Sequence, residues 1–209
     1  MAAMKNAHLA FVVALVAAAS GPSVLNAEPV PQAERTPVDV RRTTLLVRDI
    51  ERSLPFYRDA LGLKVVYDEQ IGGGTGPDGR TQPPTIRLVL LRANDTFIGV
   101  LGLMQRLNVT HPPVKPLVKP QAGEVILVVN AKDLETRFAR IRDTPGITVA
   151  TAPERIEYPA PGGQGTIPVL FSAVYDPDGY FIEVNQILGS AAGTVPPGTA
   201  SAAQRSQQR

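Results

Sequence analysis

The sequence predicts an α+β fold in which two βαβββ modules follow one another and form a cup-shaped antiparallel sheet. The first observation is an internal repeat, because the stretch 43–68, TTLLVRDIERSLPFYRDALGLKVVYD, returns in weaker form from Val125 onward. In each copy an apolar run leads to an aspartate, and a glycine follows at the same spacing, Asp49 to Gly62 and Asp133 to Gly146. A strand–helix–strand unit that recurs in one register indicates a duplicated fold.

Periodicity and turn residues assign the elements of the first module. Asp49 is placed as a helix N-cap, and an apolar stripe at spacings of three and four predicts a helix over 50–60. Pro55 falls in the second turn of that helix, where its missing N–H predicts a bend or a late helix start. Alternation of apolar and polar residues predicts strands at 41–47 and 63–68, on the two sides of the helix. Two further strands, at 85–91 and 97–104, are predicted after a long glycine-rich loop at 72–84.

The second module repeats this order after a proline-rich linker at 108–121. Its turn Asp176-Pro177-Asp178-Gly179 favours a hairpin, because proline restricts one φ and glycine permits a positive one. A Pro/Gly-rich insertion at 153–165 takes the place of the glycine-rich loop of the first module. The remaining predicted elements are a strand at 124–130, a helix at 133–143, and strands at 147–151, 167–175 and 180–186.

The first residues read as an export signal. Lys5 precedes an unbroken apolar run from Leu9 to Ala19, and small and polar residues end at Asn26-Ala27. The run is shorter than the roughly 20 residues of a membrane span, although an uncleaved N-terminal anchor stays open. We therefore expect a periplasmic or secreted protein without a stable membrane anchor. The expected organisation is a signal peptide at 1–27, a Pro-rich spacer at 28–40, a folded domain at 41–188 (module one 41–107, linker 108–121, module two 122–188) and a disordered tail at 189–209.

Composition excludes several classes of protein. The chain has 209 residues, 44% of them hydrophobic and 19% charged, which is usual for a soluble globular domain. The formal net charge of +2 and the lack of a basic cluster with interleaved aromatics argue against nucleic acid as a partner. The absence of cysteine excludes disulfides and thiol chemistry, so the core alone must stabilise an exported fold.

Two segments carry a resemblance to a known family. VRDIERSLPFYRDALGL at 47–63 and VYDPDGYFIEVNQ at 174–186 resemble the vicinal-oxygen-chelate superfamily of glyoxalases, bleomycin resistance proteins and extradiol dioxygenases. The resemblance covers residues 41–188 and implies paired modules around a concave site. It also implies, for many members, a divalent metal held by four side chains, one near the start and one near the end of each module.

The four positions that the resemblance assigns to metal ligands are only partly suited to a metal. The opening position of the first module falls on Arg42 and that of the second on Glu124. The closing position of the second module falls on Glu183. Aligning FIGV at 97–100 with FIEV at 181–184 puts the closing position of the first module on Gly99, and an alignment shifted by three residues puts it on Gly102. Because glycine has no donor atom and arginine repels a dication, the expected metal ligands are at most Glu124 and Glu183.

These residues leave more than one function open. The first hypothesis is an exported protein that binds a small organic molecule in the cup without a cofactor, through Arg42, Glu124, Glu183 and Tyr175. In it Arg42 stands between the two carboxylates where a metal would otherwise lie. The alternative is a lyase, isomerase or dioxygenase in which Glu183 and Glu124 act as base and as ligands of a divalent ion such as Mg²⁺. A buried charge cluster without a ligand and a homodimer that completes the site are the remaining possibilities.

Overall fold

The computed structural model describes residues 30–114, 119–160 and 165–189. The expected signal peptide and residues 190–209 of the expected tail lie outside the described residues. No helix within the described ranges is long and apolar enough to cross a membrane. The folded part consists of two modules in chain order, each a strand, a helix and further strands, as the repeat predicts.

The helical segment of the first module begins at a capped aspartate and changes its winding at Pro55. The Asp49 cap is confirmed, because its Oδ1 accepts a hydrogen bond of 2.9 Å from the N–H of Glu51. At Pro55 the helix changes its winding: α1 (Ile50–Leu54) continues directly as a π-helix (Pro55–Ala60), whose wider turn accommodates the proline ring. The strands of this module are β1 (Arg42–Leu46), β2 (Lys64–Ile71), a short hairpin of β3 (Gly74–Thr75) and β4 (Thr81–Gln82), β5 (Ile86–Arg92) and β6 (Val100–Arg106).

The second module differs most from expectation after its helix. The predicted insertion at 153–165 is wrong in its first half, because one long strand runs through it to Pro159. This strand is at the edge of its sheet and its register shifts between Thr151 and Glu154, and an edge bulge is where a strand tolerates a proline such as Pro153. The elements are β7 (Leu127–Asn130), α2 (Leu134–Arg142), β8 (Thr148–Pro159), β9 (Thr166–Tyr175) and β10 (Phe181–Ile187).

Each module forms its own four-stranded sheet, with strand orders β1-β6-β5-β2 and β7-β10-β9-β8. The sheets are mixed, since the first strand of each module pairs in parallel with the last one while the other pairs are antiparallel. The predicted α+β fold of two tandem modules is confirmed, and the expectation of antiparallel strands holds for every pair of the two sheets except β1–β6 and β7–β10. In these strand orders β1 and β7 are edge strands, and each of them lies at the side of its sheet that faces the other module.

Both helices cover the same side of the sheets. Leu45 of β1 and Val184 of β10 are buried in one core cluster together with Leu54 and Phe138 of the helical segments. Side chains alternate along a strand, so the neighbours of these strand residues point to the opposite side. We call that opposite side the open face; its residues near the edge strands are Arg42, Thr44, Leu46, Gly102, Val128, Asn130, Glu183 and Asn185.

The glycines predicted to end the two helices are confirmed by their backbone angles. Gly62 has φ 79° and Gly146 has φ 85°, a conformation that L side chains rarely adopt. A Cβ on Gly146 would also lie 3.1 Å from Cγ of Pro177.

We expect Gly146→Ala to lower the free energy of unfolding by about 1–3 kcal/mol in urea denaturation. Gly189→Ala, where a Cβ meets only an ordinary contact at 3.7 Å, is the control; equal midpoints for the two variants would contradict this account.

Candidate functional site

Hydrogen bonds at the ends of the edge strands show which residues of the two modules correspond. The N–H of Val47 donates to the C=O of Met104 at 2.9 Å, and the N–H of Ala131 donates to the C=O of Asn185 at 2.8 Å. When the first strand and helix of the two modules are superimposed, Val47 therefore corresponds to Ala131. When the last strands of the two modules are superimposed, Met104 corresponds to Asn185. Ala131 and Asn185 are closer in sequence than Val47 and Met104, so the second module is shorter between its matched strands.

A second pair of bonds gives the same correspondence. Oε1 of Gln105 accepts from the N–H of Ile50 at 3.1 Å, and Oε1 of Gln186 accepts from the N–H of Leu134 at 2.9 Å. In each module a glutamine of the last strand thus binds the first N–H of the helix, which has no partner within the helix itself. The side-chain bonds and the backbone bonds therefore agree on one register.

This register decides between the two glycines at the closing position of the first module. Glu183 lies opposite Val128 on β7, and the residue that lies opposite Thr44 on β1 is Gly102. Gly102 is therefore the counterpart of Glu183, and the slipped alignment is the correct one. Gly99 stands before β6, in the turn.

The opening position of the second module also shifts. In the register that matches Val47 to Ala131, the counterpart of Arg42 is Ile126, and Glu124 lies in the loop before β7. There Oε2 of Glu124 accepts a hydrogen bond of 2.9 Å from the N–H of Gln121, a local loop contact. None of the ion pairs in the described ranges joins Arg42, Glu124 and Glu183 to one another, so the expected charge cluster is not formed.

The four family positions therefore do not suit a divalent metal. They hold Arg42, Gly102, Ile126 and Glu183, and only the last of these carries an oxygen donor. A dication in a protein is bound by several carboxylate, carbonyl or imidazole groups. In the part of the chain that the structure describes, no three His, Cys, Asp or Glu side chains come together in a group that could hold an ion. The donor set thus disagrees with the metal that the resemblance implies.

Glu183 instead has polar neighbours on the open face. Nδ2 of Asn185 lies 3.4 Å from Oε2 of Glu183, while Oδ1 of Asn185 is buried and has no hydrogen-bond partner among the described residues. Partial burial, followed by the negative charge of Glu183, raises the pKa of the Tyr158 hydroxyl. Asn185 and Tyr158 were not predicted as site residues. Strand alternation in FIEVN, which places Glu183 and Asn185 on one face, could have identified the first.

Two cavities lie along the line where the edge strands β1 and β7 face each other, which we call the seam. The larger, about 510 Å³, lies at the Leu46 end and includes the predicted ligand-binding residues Glu124 and Tyr175. The smaller, about 280 Å³, lies at the other end and includes Arg42 and Gly99. The predicted site residues are thus divided between two cavities and the open face.

Tyr175 is mainly a packing residue in this geometry. It is buried at the end of β9, and its ring contacts that of Phe181 edge to face, with centroids 5.2 Å apart. Its predicted role in binding a ligand stays a prediction, supported by its position in the wall of the larger cavity.

The turn before β10 joins the two modules. Oδ1 of Asp178 accepts from the backbone N–H of Arg48 at 3.0 Å and from its Nε at 2.8 Å, and Oδ2 accepts from Oγ of Ser53 at 3.1 Å. Oδ2 of Asp176 accepts a hydrogen bond of 2.8 Å from the hydroxyl of Tyr57. The sequence identified this turn only as a hairpin, because nothing local shows that its carboxylates reach the other module.

Comparison with known proteins agrees with this architecture. The profile of the glyoxalase/bleomycin resistance protein/dioxygenase superfamily matches residues 40–184. A glyoxalase family protein from Bacillus cereus is 12% identical with a TM-score of 0.54, over 76% of this chain and 100% of that chain. A trypanothione-dependent glyoxalase I from Leishmania major is 24% identical with a TM-score of 0.42, over 68% of this chain and 82% of that chain. An antibiotic-binding protein from a Streptomyces species is 21% identical with a TM-score of 0.43, over 73% of this chain and 99% of that chain. At 12% identity the likeness to the Bacillus cereus protein concerns the fold alone. No curated protein matches the chain significantly.

Proposed function

The chain belongs to the glyoxalase/bleomycin resistance protein/dioxygenase superfamily, and from this membership we propose that it is an exported protein that binds a small organic molecule on the open face, where the metal site has degenerated. Export is supported by the apolar run from Leu9 to Ala19 behind Lys5. Loss of the metal is supported by the four family positions, three of which hold residues without an oxygen donor or an imidazole.

The unpartnered Oδ1 of Asn185 is the observation that carries the proposal. The residue is only 8% exposed, and a buried acceptor without a donor destabilises a fold by about 1–3 kcal/mol. Such an atom in a native protein calls for an explanation, and a ligand N–H or O–H that donates to it supplies one. Since the carboxylate of Glu183 lies beside it, the same ligand would gain from a positive charge.

The best-fitting ligand is therefore a small amine. Its ammonium group would pair with the carboxylate of Glu183 and, after a side-chain movement that uncovers the buried atom, donate to Oδ1 of Asn185. The negative charge of Glu183 contributes, after partial burial, to the raised pKa of the Tyr158 hydroxyl. This arrangement contains acceptors but no strong base paired with an electrophile, so it favours binding over the metal-dependent lyase, isomerase or dioxygenase of the alternative hypothesis.

We expect a screen of primary and tertiary amines by thermal shift to yield compounds that stabilise the full chain. Glu183→Gln should weaken their binding by about ten- to a hundredfold, since a hydrogen bond to a charged group contributes about 1.5–3 kcal/mol and each 1.4 kcal/mol is tenfold. Isothermal titration calorimetry measures the change. The control is Glu135→Gln, an exposed carboxylate on α2 on the other side of the sheet, which should leave binding unchanged.

Asn185→Leu separates binding from folding. Because it replaces an unsatisfied buried acceptor by an apolar group of similar size, the variant should keep or raise the melting temperature while it loses amine binding. A residue retained for structure alone would show the reverse, a lower melting temperature. Amines that bind the wild type and Glu183→Gln equally well, or a panel in which none binds, would contradict the proposed function.

Metal content tests the degenerate site directly. After dialysis against mixed divalent ions, elemental analysis of the wild type should find far less than one equivalent of any metal, because one carboxylate is too weak a donor set. About one equivalent in the wild type that is lost in Glu183→Gln would instead support the metal-dependent alternative.

A further inference from the structure

The two ends of the seam are related by the repeat but are filled differently. At one end Tyr180, the residue before β10, reaches across to the edge of β1. Its hydroxyl accepts from the N–H of Leu46 at 3.1 Å and donates to the C=O of Leu46 at 3.0 Å. The phenol hydroxyl of Tyr180 thus satisfies the backbone N–H and C=O of Leu46, which point outward from the edge strand β1.

At the other end the corresponding residues leave a gap. In the register of the two modules the counterpart of Tyr180 is Gly99, the residue before β6, and the counterpart of Leu46 is Asn130. Gly99 and Asn130 both line the smaller cavity of about 280 Å³. A Cβ built on Gly99 would have no heavy atom of the described residues within 4 Å. The ring that closes one end of the seam therefore has no counterpart at the other.

The backbone of Asn130 is oriented for the same bonds that Leu46 makes. Ala131 donates its N–H to β10, and successive N–H groups of a strand point to opposite sides. The N–H and C=O of Asn130 consequently point away from β10 and toward the seam. β7 pairs only with β10 among the described strands, so these two groups are left for water or a ligand.

The walls of the smaller cavity suit an aromatic ring. They are mainly aliphatic and aromatic, with side chains of Leu61, Leu63, Leu127 and Val129 and the ring of Tyr57, whose own hydroxyl is bonded to Asp176. An apolar cavity of about 150 Å³ in another protein holds benzene, so the available volume is sufficient for one ring.

We propose that this cavity binds a monocyclic phenol, whose ring takes the place that Tyr180 fills at the opposite end of the seam. Its hydroxyl accepts from the N–H of Asn130 and donates to the C=O of Asn130. Glu183 does not line this cavity, so the proposal extends beyond the amine site and can fail or hold independently of it.

Titration of the full chain with phenol, followed by protein NMR, tests the proposal. We expect saturable shifts confined to residues around Gly99 and β7, and binding at least tenfold weaker for anisole, which has a ring of the same size but no hydroxyl donor. Gly99→Tyr should supply the missing ring from within the chain and abolish phenol binding. Glu183→Gln should leave phenol binding unchanged, which separates this test from that of the amine site.

Because Gly99 has φ 66°, tyrosine at this position carries backbone strain, and a second variant guards against misfolding. Gly99→Asn places a residue that tolerates this conformation at the cavity and should weaken phenol binding severalfold. Its matched control is Gly79→Asn, at φ 75° with equally open space around the Cβ, in a loop away from both cavities. Equal affinity for phenol and anisole, shifts at the larger cavity, or unchanged binding in Gly99→Asn would overturn the proposal. A Gly99→Tyr variant that changes only the oligomeric state in sedimentation would also overturn it, by showing an interface between copies.

Discussion

Tyr57→Phe is expected to lower the free energy of unfolding by about 1.5–3 kcal/mol at pH 8, the usual contribution of a hydrogen bond to a charged partner. Both residues of this contact are buried, and the hydroxyl of Tyr57 donates to Oδ2 of Asp176 at 2.8 Å. The phenylalanine ring keeps the packing against Phe56, so the loss reports the hydrogen bond and not a cavity. Chemical denaturation at two pH values measures it.

The loss should depend on pH in a defined direction. Burial raises the pKa of Asp176 from 3.8 to about 6, while the hydrogen bond from Tyr57 acts in the opposite sense and lowers it. Because the folded pKa lies above the unfolded one, the native state binds the extra proton between about pH 4 and 6, and stability from this group is lost as pH rises through that window. Removing the hydroxyl raises the folded pKa further, so the variant should lose more stability at pH 8 than at pH 4.5.

Tyr180→Phe is the matched control for this prediction. It also removes one phenol hydroxyl between the modules, but the partners of this hydroxyl are the neutral backbone groups of Leu46. Its expected loss is about 1 kcal/mol at both pH values. A loss for Tyr57→Phe that is as independent of pH as that for Tyr180→Phe would contradict the assignment of the proton to Asp176.

Asp178→Ala is expected to destabilise the protein by about 2–4 kcal/mol, because it removes one partner of a largely buried ion pair. The side chain of Asp178 is 6% exposed and binds Arg48 through two bonds and Ser53 through one. The expected loss of stability is smaller than for a fully buried ion pair, because Arg48 is 24% exposed and can recover some hydration when its partner is removed. For a chain of this size the melting temperature should fall by about 5–15 °C in differential scanning calorimetry.

Two further variants test the origin of that loss. Asp59→Ala removes one partner of an exposed ion pair with Arg58 and should leave the melting temperature nearly unchanged. The double variant Arg48→Met/Asp178→Ala should be less destabilised than the sum of its single variants, because the unpaired guanidinium is gone. An Asp178→Ala variant as stable as Asp59→Ala would show that the turn does not hold the modules together.

The sequence by itself determined the order of the elements and the family. The Asp49 cap and the glycine stops are local signals, since each depends on the conformation that a single residue can adopt, and the repeat follows from comparing two stretches of the sequence. The resemblance in 47–63 and 174–186 was likewise sufficient for the superfamily, which the match over residues 40–184 confirms.

The pairing register was decided only by the tertiary structure. FIGV at 97–100 resembles FIEV at 181–184, but the first three residues of FIGV lie in the turn before β6, whereas FIEV lies within β10. A turn can lengthen by a few residues without leaving a sign in the apolar pattern, and each added residue moves the whole strand alignment. The counterpart of Glu183 is therefore Gly102, and no local pattern in the sequence could have distinguished it from Gly99.

The contents of the candidate sites likewise depend on contacts between distant residues. The unpartnered Oδ1 of Asn185, the ion pair of Asp178 with Arg48 and the gap beside Gly99 each depend on how residues distant in sequence pack together. Whether a buried polar atom is satisfied depends on every group packed around it, and most of those groups are remote in sequence. The sequence thus determined the fold and its duplication, and only the tertiary packing decided which residues line the two cavities and which buried polar atom lacks a partner among the described residues.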